Sequence, residues 1–342
     1  MSITTHERPG VYSDYDASTV ISTSGGGQTA GLVAVCASGE AGTLYVINSY
    51  EEAVTAFGQE ENLTELVRLL LLNGAARVRA VPVTDESGYD AAFSLLATEE
   101  NVALVLCDST DVTVQQKLRD SVSSASEARR ERIAVVCGGT EESVEDLVQR
   151  AGQLNSERVV LLAPGDDGCL LAAAVAGAIA GESDAALPLS GAELKGVSQT
   201  QAQYDDSEID TLVRGGVTPL ERVGGVVSVV RGITTRTKTG EVSDATWREL
   251  TTIRIVDDVI PTIRNALRAK FQRSKNTEQT RGAIRSQVIL ELENKLSREI
   301  ITGYENVTVQ ADAENPTVCL VEFSFTVAHG LNQIWLSAHI TV

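Results

Sequence analysis

Three histidines, His6, His329 and His339, are the only imidazole bases in this 342-residue chain, and none has a nucleophile and a carboxylate nearby in a loop setting. A Ser–His–Asp hydrolase needs such a set held together. The Gly-x-Ser-x-Gly elbow does not occur, and Ser190 and Ser198 have no paired base. Glycine-rich turns can carry chemistry by cradling phosphate. Gly25-Gly26-Gly27 precedes a strand pattern, so it cannot aim helix N–H groups at phosphate. Gly138-Gly139-Thr140 and Pro164-Gly165-Asp166 do lie between strand and helix patterns, but neither carries a phosphate-loop or dinucleotide fingerprint. Asp166 and Asp167 would also repel phosphate. The carboxylate pairs Asp205-Asp206 and Asp257-Asp258 are adjacent residues, and neighbours on a helix point in different directions. The expectation is a chain without catalytic residues, cofactor site or metal site, and not an enzyme.

The five cysteines, Cys36, Cys107, Cys137, Cys169 and Cys319, are odd in number and widely spaced, with no Cys-x-x-Cys pair. This pattern predicts buried free thiols in a reducing cytoplasm rather than zinc ligands or a disulfide framework. Met1–Gly10 lacks the basic-then-apolar order of a signal peptide. The most apolar stretch, Leu170–Ala180, is too short to cross a bilayer and reads as a buried helix.

The elements around these residues follow from periodicity. Residues 1–28 are polar and turn-rich, with a short β-prone run at Ala17–Ser22 centred on Val20 and Ile21, and they read as an arm. Apolar strand-like runs follow at Leu32–Cys36, Val78–Val83, Val102–Cys107, Ile133–Cys137 and Val159–Ala163. Helical patterns between them include Glu51–Phe57, Leu63–Leu72, Val112–Ser123, Glu142–Leu154 and Cys169–Ala180. Strands apolar throughout and separated by helices predict a parallel sheet covered on both faces. After Glu182 come a loop with Pro188, a short helix at Glu208–Val213, and a strand pair, Val217–Arg222 and Val226–Gly232, across Gly224-Gly225. Two long helices are expected at Thr252–Phe271 and Gly282–Ile301, the first kinked or interrupted at Pro261. A short strand at Val307–Gln310 and an alternating strand at Thr317–Ala328 close the fold. Ile334–Val342 alternates as well, and either folds back as a hairpin or completes a neighbour's sheet.

Charge narrows the partners. The chain carries a net −19, which disfavours nucleic acid and anionic membranes. Between Arg248 and Arg298, however, eleven Lys/Arg face six Asp/Glu, a net +5 that leaves −24 on the rest. Such an island is either a face for an acidic partner or a solvated helix surface.

Several segments, taken in order, resemble one family. They are Arg8-Pro9-Gly10-Val11-Tyr12; Val175-Ala176-Gly177-Ala178-Ile179-Ala180; Gly232-Ile233-Thr234-Thr235 with Thr239-Gly240; the run Trp247 to Asp258; and Ile334-Trp335-Leu336 with Ile340-Thr341-Val342. They resemble the phage tail sheath family, in the compact form of Gram-positive-type myophages and related contractile particles. The resemblance implies a subtilisin-like α/β domain without a catalytic triad (29–240), an α+β domain facing an inner tube (241–330), and strand-donating arms at 1–28 and 331–342. It implies subunits stacked as hexameric rings around a tail tube, made in the host cytoplasm and carried on the virion tail, with baseplate and tail terminator proteins as further partners. Contraction would drive the tube through a cell envelope, with no nucleic acid bound and no insertion into membrane. A sheath of another contractile injection system or of a phage-tail-like bacteriocin fits the same residues; an α/β enzyme with an unrecognised site is the distant alternative. On this reading Val20, Ile21, Ile334, Leu336, Ile340 and Val342 are the core of the arms, and Arg264, Arg268, Lys270 and Arg273 face the tube.

Overall fold

The computed structural model describes residues 27–332 and residue 337. The larger unit is built on nine strands: β1 (Thr29–Val35), β2 (Tyr45–Ile47), β3 (Arg77–Val83), β4 (Val102–Cys107), β5 (Ile133–Cys137), β6 (Val159–Ala163), β7 (Glu193–Leu194), β8 (Thr218–Val223) and β9 (Val226–Val229). They form one sheet in the order β2-β3-β1-β4-β5-β6-β8-β9-β7. The six strands from β3 to β8 are mutually parallel, and β2, β9 and β7 add antiparallel edges. Every residue of β5 and β6 is buried, which is why these runs lack the alternation of a half-exposed strand.

Seven helices cover the sheet: α1 (Tyr50–Phe57), α2 (Asn62–Asn73), α3 (Tyr89–Thr98), α4 (Val112–Glu127), α5 (Val144–Leu154), α6 (Leu170–Gly181) and α7 (Asp206–Arg214). α1, α2 and α6 pack on one face, and α3, α4, α5 and α7 on the other. α6 is apolar on all sides because it lies between the sheet and α2. Its Gly177 permits that approach: a Cβ there would stand 2.7 Å from Asn73 Cβ and 2.7 Å from the Leu70 carbonyl oxygen.

A two-residue ladder, β10 (Lys238–Thr239) with β11 (Val242–Ser243), leads into the smaller unit. This consists of α8 (Leu250–Phe271), α9 (Glu278–Ser297) and the antiparallel pair β12 (Ile301–Ala311) and β13 (Cys319–Val327). A second core of Ile255, Val259, Ile263, Val288, Leu292 and Val307 joins them. α8 serves both cores. Its Leu250 and Ile253 sit in the layer that covers the large sheet, and the stripe from Ile255 onward sits in the smaller core.

Three expectations are corrected. Pro261 does not interrupt α8, which runs unbroken over 22 residues. Val259 and Ile263, on either side of the proline, are both buried in the smaller core, and the Thr262 hydroxyl donates to the Asp258 carbonyl beside the missing bond (2.6 Å). β12 is an eleven-residue strand rather than a short one at Val307–Gln310. Its Gly303 and Asn306 read as turn residues, but register shifts between Ile301 and Gly303 and between Glu305 and Thr308 absorb them as bulges. Finally, Cys137 and Cys169 are not free thiols. They are disulfide-bonded, with Cα atoms 5.9 Å apart, because the turn after β6 returns to the end of β5. Cys36, Cys107 and Cys319 are free.

Candidate assembly surfaces

In open α/β sheets ligands bind beyond the carboxyl ends of the strands where the order reverses, here between β1 and β4. Asp108 stands at that point, just after β4. It accepts from the Val35 backbone N–H (3.0 Å) and from the Tyr89 hydroxyl. Burial pushes its carboxyl above the usual range, although the Tyr89 and Val35 hydrogen bonds pull it down. Burial also raises the Tyr89 phenol. Asn62 is held to the Gly168 carbonyl (3.2 Å). These groups satisfy one another and stand beside no nucleophile–base pair.

The other chemical candidates resolve in the same way. Asp166 accepts from the Leu170 and Leu171 N–H groups at the start of α6. Gly165 and Gly138 touch backbone to backbone: a Cβ on Gly165 would lie 2.1 Å from the Gly138 oxygen, so these glycines serve packing. Asp205 caps α7. Asp257 and Asp258 diverge as expected, the first to Arg158 (2.9 Å) and the second to Lys295 (2.6 Å). Among the described residues no cluster of three or more His, Cys, Asp or Glu could hold a metal, and no helix is long and apolar enough to cross a membrane.

The basic island separates into internal and exposed parts. Arg254 is buried and donates to the Glu182, Asp184 and Leu187 carbonyls, locking α8 to the end of α6. Arg285 donates to the Val307 carbonyl (2.9 Å). Arg264 pairs with Glu131 (2.7 Å), in the turn between α4 and β5, so it is turned toward the larger unit. Lys270 reaches Gln287 from an exposed position, and Arg268 and Arg273 are exposed.

The arm residues Val20, Ile21, Ile334, Leu336, Ile340 and Val342 lie outside the described residues. The sheet expected to receive a strand is described. In β13, Val321, Phe323, Phe325 and Val327 face the smaller core, while Leu320 is 46% exposed on the opposite face. Among the described residues β12 and β13 pair only with each other, so each has an open outer edge. Alternation had given the two faces of β13; the length of its partner was hidden by the bulges.

Two family models match the chain: the phage tail sheath protein central domain over residues 85–235 and the phage tail sheath C-terminal domain over residues 242–341. A tail sheath protein of Bacillus phage SP01 is 27% identical over 253 residues, covering 70% of this chain and 43% of that protein. The chain therefore spans less than half of that relative. Among solved structures, a chain of the anti-feeding prophage baseplate superposes with a TM-score of 0.74 at 16% identity, covering 99% of this chain and 100% of that one. The anti-feeding prophage helical sheath in its contracted state gives 0.72 at 17% identity, covering 98% and 99%. The backbone likeness thus extends over both units, and the sequence matches carry the family: this chain belongs to the phage tail sheath family of structural proteins.

Proposed function

We propose that the chain is the repeating subunit of a contractile tail sheath, polymerising around an inner tube and shortening to drive that tube into a target envelope. The observation that carries this is the matched order of central and C-terminal sheath domains over residues 85–235 and 242–341. The fold likeness to a helical sheath in its contracted state supports it. The doubly wound sheet supports a subtilisin-like reading in fold alone, since fold does not bring function with it.

In this reading the terminal segments, 1–28 and 331–342, add strands to neighbouring subunits, and the open edges of β12 and β13 receive them. Val20, Ile21, Ile334, Leu336, Ile340 and Val342 supply the apolar faces of those strands. Donated strands keep their backbone hydrogen bonds while subunits move as rigid bodies, so a mesh survives a change of spacing. Hexameric rings, contacts with baseplate and terminator proteins, and a place on the virion tail belong to the same reading. Arg268, Lys270 and Arg273, exposed along α8 and just beyond it, are the residues for an acidic tube; Arg264 would have to leave Glu131 to join them.

The test is negative-stain electron microscopy of the chain expressed alone, beside a variant lacking residues 333–342. Hollow striated tubes from the intact chain and none from the truncated one are expected. Monomers from both, with or without an added tube, would refute the reading.

A further inference from the structure

The amino ends of the large sheet open into a cleft of about 540 Å³ between the two units, walled by Arg129, Arg130, Arg132, Arg264 and Arg268. Against these five cations the lining offers three carboxylates, Glu100, Glu131 and Asp257. Two of the three are committed, Glu131 to Arg264 and Asp257 to Arg158. Arg264 is answered by Glu131, but among the described residues Arg129, Arg130, Arg132 and Arg268 form no ion pair. Arg132 is 1% exposed and donates to the Leu96, Glu99 and Arg130 carbonyls, dipoles rather than charges. Burial, with Arg130 and Arg79 nearby, lowers its pKa to about 10. Arg130 Nε is buried with no hydrogen-bond partner, and Arg129 and Arg268 are exposed. A basic concavity in a chain of net charge −19 calls for an anion from outside.

The complementary surface is on the opposite end of the same sheet. α5 follows β5 and α7 precedes β8, so both helices begin at the carboxyl ends of the strands. Their first turns line one groove, with Glu142, Ser143, Glu145, Tyr204, Ser207 and Glu208. Glu141, Glu145, Asp206 and Glu208 are exposed there, and Arg150 is engaged by Glu142.

We infer that the basic cleft at the amino end of the sheet receives the acidic α5–α7 end of a second copy of this chain. Such a contact is heterologous: two different patches meet, and each copy keeps one of each free. Repeated, it closes into a ring or runs on as a helix. It also answers a difficulty of the sheath reading, on which this inference rests, since copies of net charge −19 repel one another unless opposite charges are aligned where they touch. Arg268 serves this contact, which leaves Lys270 and Arg273 for the tube.

The test uses two full-length variants, Arg129→Glu with Arg268→Glu in the cleft and Glu141→Lys with Glu145→Lys at the acidic end. All four positions are exposed, and thermal unfolding checks that each variant folds. Assembly is followed by sedimentation and electron microscopy across a salt series. Either variant alone should need at least about tenfold more protein to assemble, because like charges now meet. An equimolar mixture should assemble as the parent does, since the reversed cleft matches the reversed end and the two unaltered surfaces match each other. If each variant alone assembles at the parent concentration, or the mixture fails to recover, the contact is wrong while the sheath reading stands. If the parent never assembles, both fall together.

Discussion

Removing Asp257 should cost the chain about 3 kcal/mol, the range for breaking a buried ion pair from one side. Asp257 lies on α8 and accepts two bonds from Arg158, at 2.9 and 3.0 Å, across the junction of the two units. The side chains are 13% and 16% exposed, so solvent screens them little. Burial raises the Asp257 carboxyl, and the Arg158 hydrogen bonds and charge offset that only in part. The stability therefore resides in the pairing and not in either charge. Asp257→Leu leaves the Arg158 guanidinium with the Arg132 carbonyl (3.2 Å) and without its carboxylate; Arg158→Met leaves a carboxylate facing Glu131 and Glu157. Each single variant should lower the thermal midpoint by about 6 °C, at roughly 2 °C per kcal/mol for a chain of this size. Replacing both residues at once, as Arg158→Met with Asp257→Leu, should cost under about 1 kcal/mol, because no charge is stranded. Urea unfolding of the four proteins completes the double-mutant cycle. The Arg158→Met penalty should also shrink in acid, where Asp257 takes up a proton. Singles within about 0.5 kcal/mol of the parent, or a double equal to their sum, would refute the reasoning.

Asp108 supplies a pH signature. Its folded carboxyl titrates above its unfolded value, so the folded chain holds that proton more tightly. Stability from this group is present at low pH and falls as pH rises from about 4 through the folded value; Asp108→Asn should flatten that fall in urea midpoints taken across the range. Gly177→Leu should cost about 3 kcal/mol or prevent folding, since the α2–α6 approach leaves no room for a side chain, and circular dichroism with thermal unfolding reads it. Arg254→Met should cost about 2 kcal/mol by stranding the Glu182, Asp184 and Leu187 carbonyls, with faster amide exchange at the end of α6. Alkylation of the unfolded, unreduced chain should label Cys36, Cys107 and Cys319 and spare Cys137 and Cys169.

The parallel sheet was legible because its strands are buried on both faces and so are apolar at every position. Val102–Cys107, Ile133–Cys137 and Val159–Ala163 begin and end where their composition places them. Short edge strands were not legible: Tyr45–Ile47 and Glu193–Leu194 owe their conformation to partners distant in sequence. The same holds for Cys137 and Cys169, 32 residues apart, whose proximity depends on how two loops fold at one end of the sheet. The division of the basic island was not legible either, because a count of charges cannot distinguish Arg254, buried among carbonyls, from Arg268, exposed on the same helix.

α8 carries a mechanical consequence. One unbroken helix roots its first turn beneath the large sheet and its next turns in the smaller core, and it is pinned along the way by Arg254 and Asp257. A body braced by such a beam has no joint of its own at the seam. In an assembly that shortens, such a subunit behaves as a voussoir: the stones keep their shape, and the change of form falls to the mortar, the surfaces where copies meet.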